Sequence, residues 1–533
     1  MGKSGYVLGI DCSTQSTTAV VLDSSTFQTI IETRVRYRDD PRLAAYGLTS
    51  RKPILPPLEI GEASQPAMLF IDALEAVLSD IPQDILERID AINISAQQHG
   101  QVWVSNNGST LIAELAHEDL CTSSLRLSDI LRHGIAYERA PIWMSANSQA
   151  AADEIRMIIG GQDRIVELSG SDSLARFTGP VLARTAQLFA ANYENTARIH
   201  LISSFLAGVL SANPDAPIDW GNGSGTGMMD WKNCIWNLDL ISATAQAGKL
   251  PQGTLGLKSR LPSLAHPLSQ IGKIAGYFRK KYGFSENCTI IASSGDNPQS
   301  KVLSSGPLLS LGTSFVIMGE GKEPIPSANA MYDGLGRPFL FGCRTNGSLV
   351  WDNIRAQYGL ADDFSRSEKA LASVKPGSVL RILQTSAESF PLSSPIDIGS
   401  TREFYTDYAG VVDSALGLVA LASKSFMNSP EPIAATGGAA ASKGILARAA
   451  SIWDKPIIPI ANAGAATGAA VAAACAIVPE SEREEVAEYA RSVATKPGQP
   501  IEPQTAAVRA YHSKGGYLEQ LAEKFAEITG KSH

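Results

Sequence analysis

Val7-Leu8-Gly9-Ile10-Asp11-Cys12-Ser13-Thr14-Gln15-Ser16-Thr17-Thr18-Ala19-Val20-Val21-Leu22-Asp23 is the stretch on which the reading of this chain turns. Val7 to Ile10 and Ala19 to Leu22 are short apolar runs of the kind that form buried strands. Between them, Cys12 to Thr18 contains two serines, three threonines and Gln15. Hydroxyls and backbone amides on such a turn can surround phosphate oxygens. Asp11 ends the first strand, where a carboxylate can hold a hydrated Mg²⁺ that bridges to nucleotide phosphates. An ordinary hairpin with a polar tip fits the same residues.

The pattern recurs about 300 residues later, in Gly306-Pro307-Leu308-Leu309-Ser310-Leu311-Gly312-Thr313-Ser314-Phe315-Val316-Ile317-Met318-Gly319. Two phosphate-type hairpins so far apart suggest two related domains facing one nucleotide. The arrangement resembles the α/β fold shared by actin, hexokinase and the heat-shock chaperone ATPases, two ribonuclease H-like domains with a cleft between them. No G-x-x-x-x-G-K-[ST] occurs, so a P-loop is excluded. The chain returns as a strand rather than a helix, unlike the first turn of a dinucleotide-binding unit.

At 533 residues the chain is too long for one core. The division is placed near residue 304, giving units 1–304 and 305–533. A net charge of −8 argues against nucleic acid or an anionic membrane as the main partner. No apolar run reaches the roughly 18 residues of a membrane span. A strand soon after Lys3 leaves no room for a signal peptide, and Tyr6 argues against myristoylation at Gly2. Cys12, Cys121, Cys234, Cys288, Cys343 and Cys475 are scattered, which is neither a zinc site nor a disulfide framework and fits the reducing cytoplasm. Cys12 reads as inert filler or as an oxidation-sensitive thiol beside the turn.

Along the chain, Gln65 to Leu78 has helical spacing. Ala91 to Ser95 reads as a buried strand that delivers Gln97-Gln98-His99-Gly100 at its end, a usual place for ligand groups in an α/β sheet. Residues 106–140 read as a loop with one amphipathic helix, Pro141 to Met144 as a strand, Arg176 to Pro180 as a turn, and Ile199 to Leu210 as a helix. Thr289 to Ala292 is a strand running into Gly295-Asp296-Asn297-Pro298. In the second half, a helix spans about 411–427, and Ile433 to Ala435 leads to Thr436-Gly437-Gly438-Ala439. Ala463 to Ala470 opens a helix of small residues suited to close packing, and the tail from about Glu482 is helical and charged.

The order of these pieces is more specific than any one of them. Gly-Ile-Asp with its Ser/Thr turn, Gln-Gln-His-Gly, Arg-Phe-Thr-Gly, Pro-Ile-Asp-x-x-x-Gly-Ser-Gly, Gly-Asp-Asn-Pro, Ser-Leu-Gly-Thr-Ser and Ala-Thr-Gly-Gly-Ala resemble the FGGY carbohydrate kinases over about residues 6–475. Within them the chain is most similar to the eukaryotic-type xylulose kinases, through Gln97 to Gly100, Arg176 to Gly179, Tyr282 to Phe284, Gly295 to Pro298 and Asn346 to Leu349. The resemblance implies MgATP-dependent phosphorylation of a sugar hydroxyl, with D-xylulose the leading substrate and homodimers among its possible assemblies. It makes Asp296 the catalytic base and assigns the sugar to Gln98, His99, Arg176, Asp296 and Asn297. It assigns ATP to Thr14, Gln15, Gly312, Thr313, Gly437, Gly438 and Ser442, and the metal to Asp11.

A positioned carboxylate agrees with that chemistry, since a neutral alcohol must lose its proton as the bond to phosphorus forms. Asp-Asn-Pro is also good turn chemistry, and Arg176 could instead serve a surface ion pair. Three positions depart from the family pattern: Ser145 stands where an acidic residue is common, Asn222 where xylulose kinases carry aspartate, and Ser442 where an asparagine usually follows the Gly-Gly-Ala motif. Another ketose or a polyol as substrate remains open, as does a non-catalytic sugar-binding regulator on the same fold. Since the sugar residues fall in the first half and the nucleotide residues in both, the halves are expected to close over the cleft, with Gly306-Pro307 as hinge element.

Overall fold

Burial dictates the centre of the first sheet. All seven residues of Tyr6–Cys12 are buried, which marks a strand covered on both faces. The computed structural model describes residues 5–49, 52–122, 125–461 and 464–530. The readings at Met1, Gly2 and Lys3, and Ala463 at the start of the small-residue helix, lie outside the described residues.

Tyr6–Cys12 pairs antiparallel with Ser16–Asp23, which pairs with Thr29–Arg36. On its other side it runs parallel to Ile89–Ala96, followed by Thr289–Ile291 and Gln270–Lys273. Ser294–Gly295 also pairs with Ile89–Ala96. The parallel register sets Asp11 beside Ser95 and Cys12 beside Ala96, so the strand ends carrying Asp11, Gln97-Gln98-His99 and Asp296 open on the same edge. A second sheet has the order Asn329–Tyr332, Pro338–Arg344, Phe315–Glu320, Leu308–Leu311, Ile433–Thr436, Ile457–Pro459. Leu308–Leu311 and Phe315–Glu320 form its hairpin around Gly312-Thr313-Ser314.

The helix Ala465–Ala476 lies in the second half of the sequence but packs on the first sheet, in one core with Val7, Val20, Leu22, Ala91 and Ile291. Small residues permit this approach: a Cβ on Gly9 would sit 1.9 Å from the Ala466 carbonyl oxygen, and one on Gly468 would sit 1.9 Å from that of Gln299. The helices Arg483–Ala494, Thr505–His512 and Tyr517–Thr529 complete the tail.

Several local expectations are corrected. Among its described residues the 106–140 segment holds two α-helices, Asn106–Glu114 and Leu127–Arg132, a 3₁₀ turn Asp119–Thr122, and strands Ile135–Tyr137 and Arg139–Pro141. Chain reversal at Ile142 to Ser145 ends the latter strand, so Trp143 and Met144 are exposed rather than paired. Thr196–Leu201 is a strand and the helix is Ile202–Ser211; pairing with Gln101–Ser105 overrides the apolar periodicity. Arg176-Phe177 leads directly into the helix Thr178–Leu188, with Pro180 in its first turn, where its missing N–H costs no bond. The helix expected from Gln65 begins at Leu69, because Ser64–Pro66 pairs with Arg139–Pro141. Among the described residues no helix is long and apolar enough to cross a membrane.

Candidate active site

Asp296 is the first residue of the helix Asp296–Lys301, just after Gly295 leaves the first sheet. A carboxylate at a helix start meets free backbone N–H groups. The N–H of Asn297 donates to Asp296 Oδ1 at 2.9 Å, and the N–H of Gln98 also favours the charged form. Burial and then the nearby charge of Asp11 act more strongly, pushing the Asp296 carboxyl up to about 7. A buried carboxylate near neutrality is suited to accept a proton. Gly295 has to be small, since a Cβ there would lie 2.4 Å from Gln98 Cγ.

Asp11 is buried and accepts hydrogen bonds from Ser13 Oγ at 2.5 Å and Ser95 Oγ at 2.7 Å. Burial raises its carboxyl pKa despite those donors and the charge of Arg34. Cys12, beside it, is fully buried with its thiol pushed up to about 12 by desolvation, which supports the inert reading.

Asn297 Nδ2 donates to Gln98 Oε1 at 2.8 Å and to Asp296 Oδ1 at 3.2 Å, so Gln98, Asn297 and the base form one cluster. His99 sits in the left-handed region at φ 67°, which turns its ring out of the strand line and onto Phe177, stacked at 4.7 Å. Its Nδ1 lies 2.9 Å from the Gly225 carbonyl oxygen. A carbonyl only accepts, so Nδ1 carries the proton and Nε2 is an acceptor. Burial and the Arg176 charge lower the His99 pKa to about 3, so the ring is neutral. Among the described residues Arg176 makes no hydrogen bond or ion pair, contrary to the surface-pair alternative. It lines a cavity of about 630 Å³ with Asn329, Phe341 and Cys343 of the second half.

Both Gly-rich elements of the second half meet. Gly437 has φ 91°, and a Cβ there would lie 2.6 Å from the Leu311 carbonyl and 2.9 Å from Gly312 N. The turn after Thr436 therefore abuts the Gly312-Thr313 turn, and Gly438 faces open space, with nothing within 4 Å of an added Cβ. Thr313 is exposed. Ser442 is otherwise engaged: its hydroxyl donates to Glu368 and caps the helix Lys443–Trp453 by accepting from Ile445 N at 3.1 Å.

The departures from the family pattern also have partners. Ser145 Oγ donates to the Ala63 carbonyl at 2.9 Å, and Asn222 Nδ2 donates to Ser203 Oγ at 2.8 Å. Two residues were given no role of their own from the sequence, although Asp219 is the aspartate of the Pro-Ile-Asp-x-x-x-Gly-Ser-Gly motif. Asp219, fully buried and pushed up to about 6 by desolvation, accepts from Ser294 Oγ at 2.7 Å and from the N–H groups of Gly221 and Asn222. It thus ties the Trp220–Ser224 helix to the strand preceding the base. Trp143 Nε1 donates to Thr14 Oγ1 at 3.0 Å, bracing the first turn. An Asp before a Gly-rich run is a capping signal and could have been read; the Trp143 contact spans 129 positions and could not.

The chain is 28% identical over 509 residues to xylulose kinase 2 of Arabidopsis thaliana, covering 88% of this chain and 86% of that protein. It is 30% identical over 376 residues to a xylulose kinase of Schizosaccharomyces pombe, covering 67% and 64%. The chain is a homologue of the xylulose kinases. The match to a probable D-xylulose kinase A of Neosartorya fischeri, 30% identical over 360 residues, spans 65% of this homologue and 60% of the fungal protein. Solved structures agree on the two-domain actin-like fold. A Lactobacillus acidophilus xylulose kinase superimposes with TM-score 0.76 at 18% identity, covering 98% and 97%. One from Rhodospirillum rubrum does so with TM-score 0.77 at 15% identity, covering 98% of each chain. No protein-family model matches this xylulose kinase homologue.

Proposed function

We propose that the chain is an ATP-dependent sugar kinase that converts D-xylulose to D-xylulose 5-phosphate. The observation that carries the mechanism is the buried Asp296 carboxyl, pushed up to about 7 and bonded to Asn297, which joins Gln98. Asp296 takes the proton of the acceptor hydroxyl as its oxygen bonds to the γ-phosphorus and the bond to the ADP oxygen breaks. His99 accepts a sugar hydroxyl at Nε2, Arg176 donates to another, and Asn297, whose Nδ2 hydrogens go to Gln98 and Asp296, accepts from a third at Oδ1. The turns at Thr14-Gln15 and Gly312-Thr313 hold phosphates through backbone N–H groups, while Gly437-Gly438 leaves room for adenosine. Ser442, as a helix cap, contributes by fixing that segment.

Asp11 fits the expected Mg²⁺. Asp11, a buried carboxylate fixed by Ser13 and Ser95 at the phosphate turn, would supply the hard oxygen donor that such an ion takes. When bound, Mg²⁺ neutralises phosphate charge. The two lobes close over the cleft and exclude water as competing acceptor, with the helix Ala465–Ala476 moving with the first sheet, on which it packs. Six unpaired thiols suit a cytoplasmic setting.

An ADP-release assay over pentuloses, hexuloses and polyols tests the reading. D-xylulose is expected to give the highest kcat/KM. A faster ketose or polyol would reassign the substrate, and ATP turnover indifferent to every sugar would overturn the kinase reading.

A further inference from the structure

The first phosphate turn is gripped by a ring of hydrogen bonds whose members come from three distant parts of the sequence. Thr14 Oγ1 donates to Gln97 Oε1 at 3.1 Å, Gln97 Nε2 donates to Gln65 Oε1 at 2.7 Å, and Gln65 Nε2 donates to the Thr14 carbonyl at 2.8 Å. Gln65 is 0% exposed and Gln97 3%. The second Gln65 hydrogen goes to the Pro53 carbonyl at 2.7 Å. Trp143 Nε1 donates to the same threonine hydroxyl from outside the ring.

We infer that Gln65 and Gln97 are positioning residues that hold the Thr14 turn in its phosphate-binding shape and couple it to the sugar pocket. The inference rests on the reading of that turn as a phosphate site. With its side chain and carbonyl both engaged, Thr14 addresses a phosphate through backbone N–H groups rather than through its hydroxyl. Those groups point correctly only while the backbone is fixed. The amides are oriented head to tail, so each supplies the donor that its neighbour lacks. Replacing one strands a buried partner.

The coupling follows from chain order. Gln97, Gln98 and His99 are consecutive at the end of Ile89–Ala96. Gln97 reaches the phosphate turn, Gln98 reaches Asn297 beside the base, and the His99 ring lies on Phe177 next to Arg176. A displacement of this tripeptide by sugar is therefore transmitted to Thr14 through one side chain.

Full-length Gln65→Met and Gln97→Met, singly and together, test this. Each single variant is expected to raise KM for MgATP by roughly tenfold or more, with nucleotide-free D-xylulose affinity by calorimetry unchanged. The double variant should be no worse than the weaker single one, as for members of one network. Unchanged KM for MgATP, or fully additive effects, would overturn the inference. If Gln65→Met fails to fold, Trp143→Phe removes a donor from an exposed ring; a smaller rise in KM supports the inference and no change contradicts it. Hydrogen exchange of residues 12–16 separates the two levels. If a MgATP analogue gives no protection in the wild-type protein, the phosphate reading itself fails. Protection kept undiminished in the variants sinks only the clamp.

Discussion

Replacing Asp296 by asparagine is expected to stabilise the folded chain, more above neutral pH than in mild acid. The folded carboxyl titrates at about 7 against 3.8 in its ordinary setting. Between those values the folded chain binds a proton that the unfolded chain has lost, so stability falls as pH rises through 7. That gap costs about 4 kcal/mol at pH 8 and about 2 kcal/mol at pH 5. Asparagine removes the charge while keeping the shape. The bonds from the N–H groups of Gln98 and Asn297 are already contained in the value of about 7, and an amide oxygen still accepts from both. The net expectation is a gain of about 4 kcal/mol at pH 8 and about 2 kcal/mol at pH 5. Urea unfolding of both proteins at the two pH values, followed by tryptophan fluorescence, measures it. An equal effect at both pH values, or a loss at pH 8, would refute the argument that the base is held at an electrostatic cost.

The same group sets the pH dependence of catalysis. The kcat/KM for sugar should fall about tenfold per unit below pH 7, and Asp11→Asn should move that limb to lower pH, because the Asp11 charge is one cause of the raised value. Gly437→Ala combines a φ of 91° with backbone atoms 2.6 Å away, so KM for MgATP should rise on the order of tenfold. Calorimetric sugar affinity should not follow. His99→Phe retains the stacking on Phe177 but loses both ring nitrogens. The KM for sugar should rise roughly tenfold to a hundredfold, and wild-type sugar binding should show no histidine titration between pH 5 and 8.

What could be read from sequence follows the range of the interactions. The two hairpins, the Asp296 region and the Gly437 turn are local strings whose backbone demands are written in their own residues. Their order along the chain carried the family resemblance. Ile199 to Leu201 misled because apolar periodicity does not separate a short buried strand from a helix start; pairing with Gln101–Ser105 decided it. The Gln65–Gln97–Thr14 ring joins positions 32 to 83 residues apart, and no local pattern marks Gln65 as different from any polar residue before a helix. Ser442 was read by its place in a motif, whereas its hydroxyl answers to the helix that it caps. The packing of Ala465–Ala476 on the first sheet shows only once both halves are in space, although its small residues announced a close contact.

Rapid-quench measurement of a single turnover, with wild-type protein and Asp296→Asn each saturated with D-xylulose and MgATP, tests the central claim most directly. The wild type is expected to form D-xylulose 5-phosphate and ADP in equal amounts. The variant should bind both substrates yet transfer the phosphoryl group slower by on the order of 10²–10⁴. Transfer by the variant at the wild-type rate would contradict the assignment of Asp296 as the base.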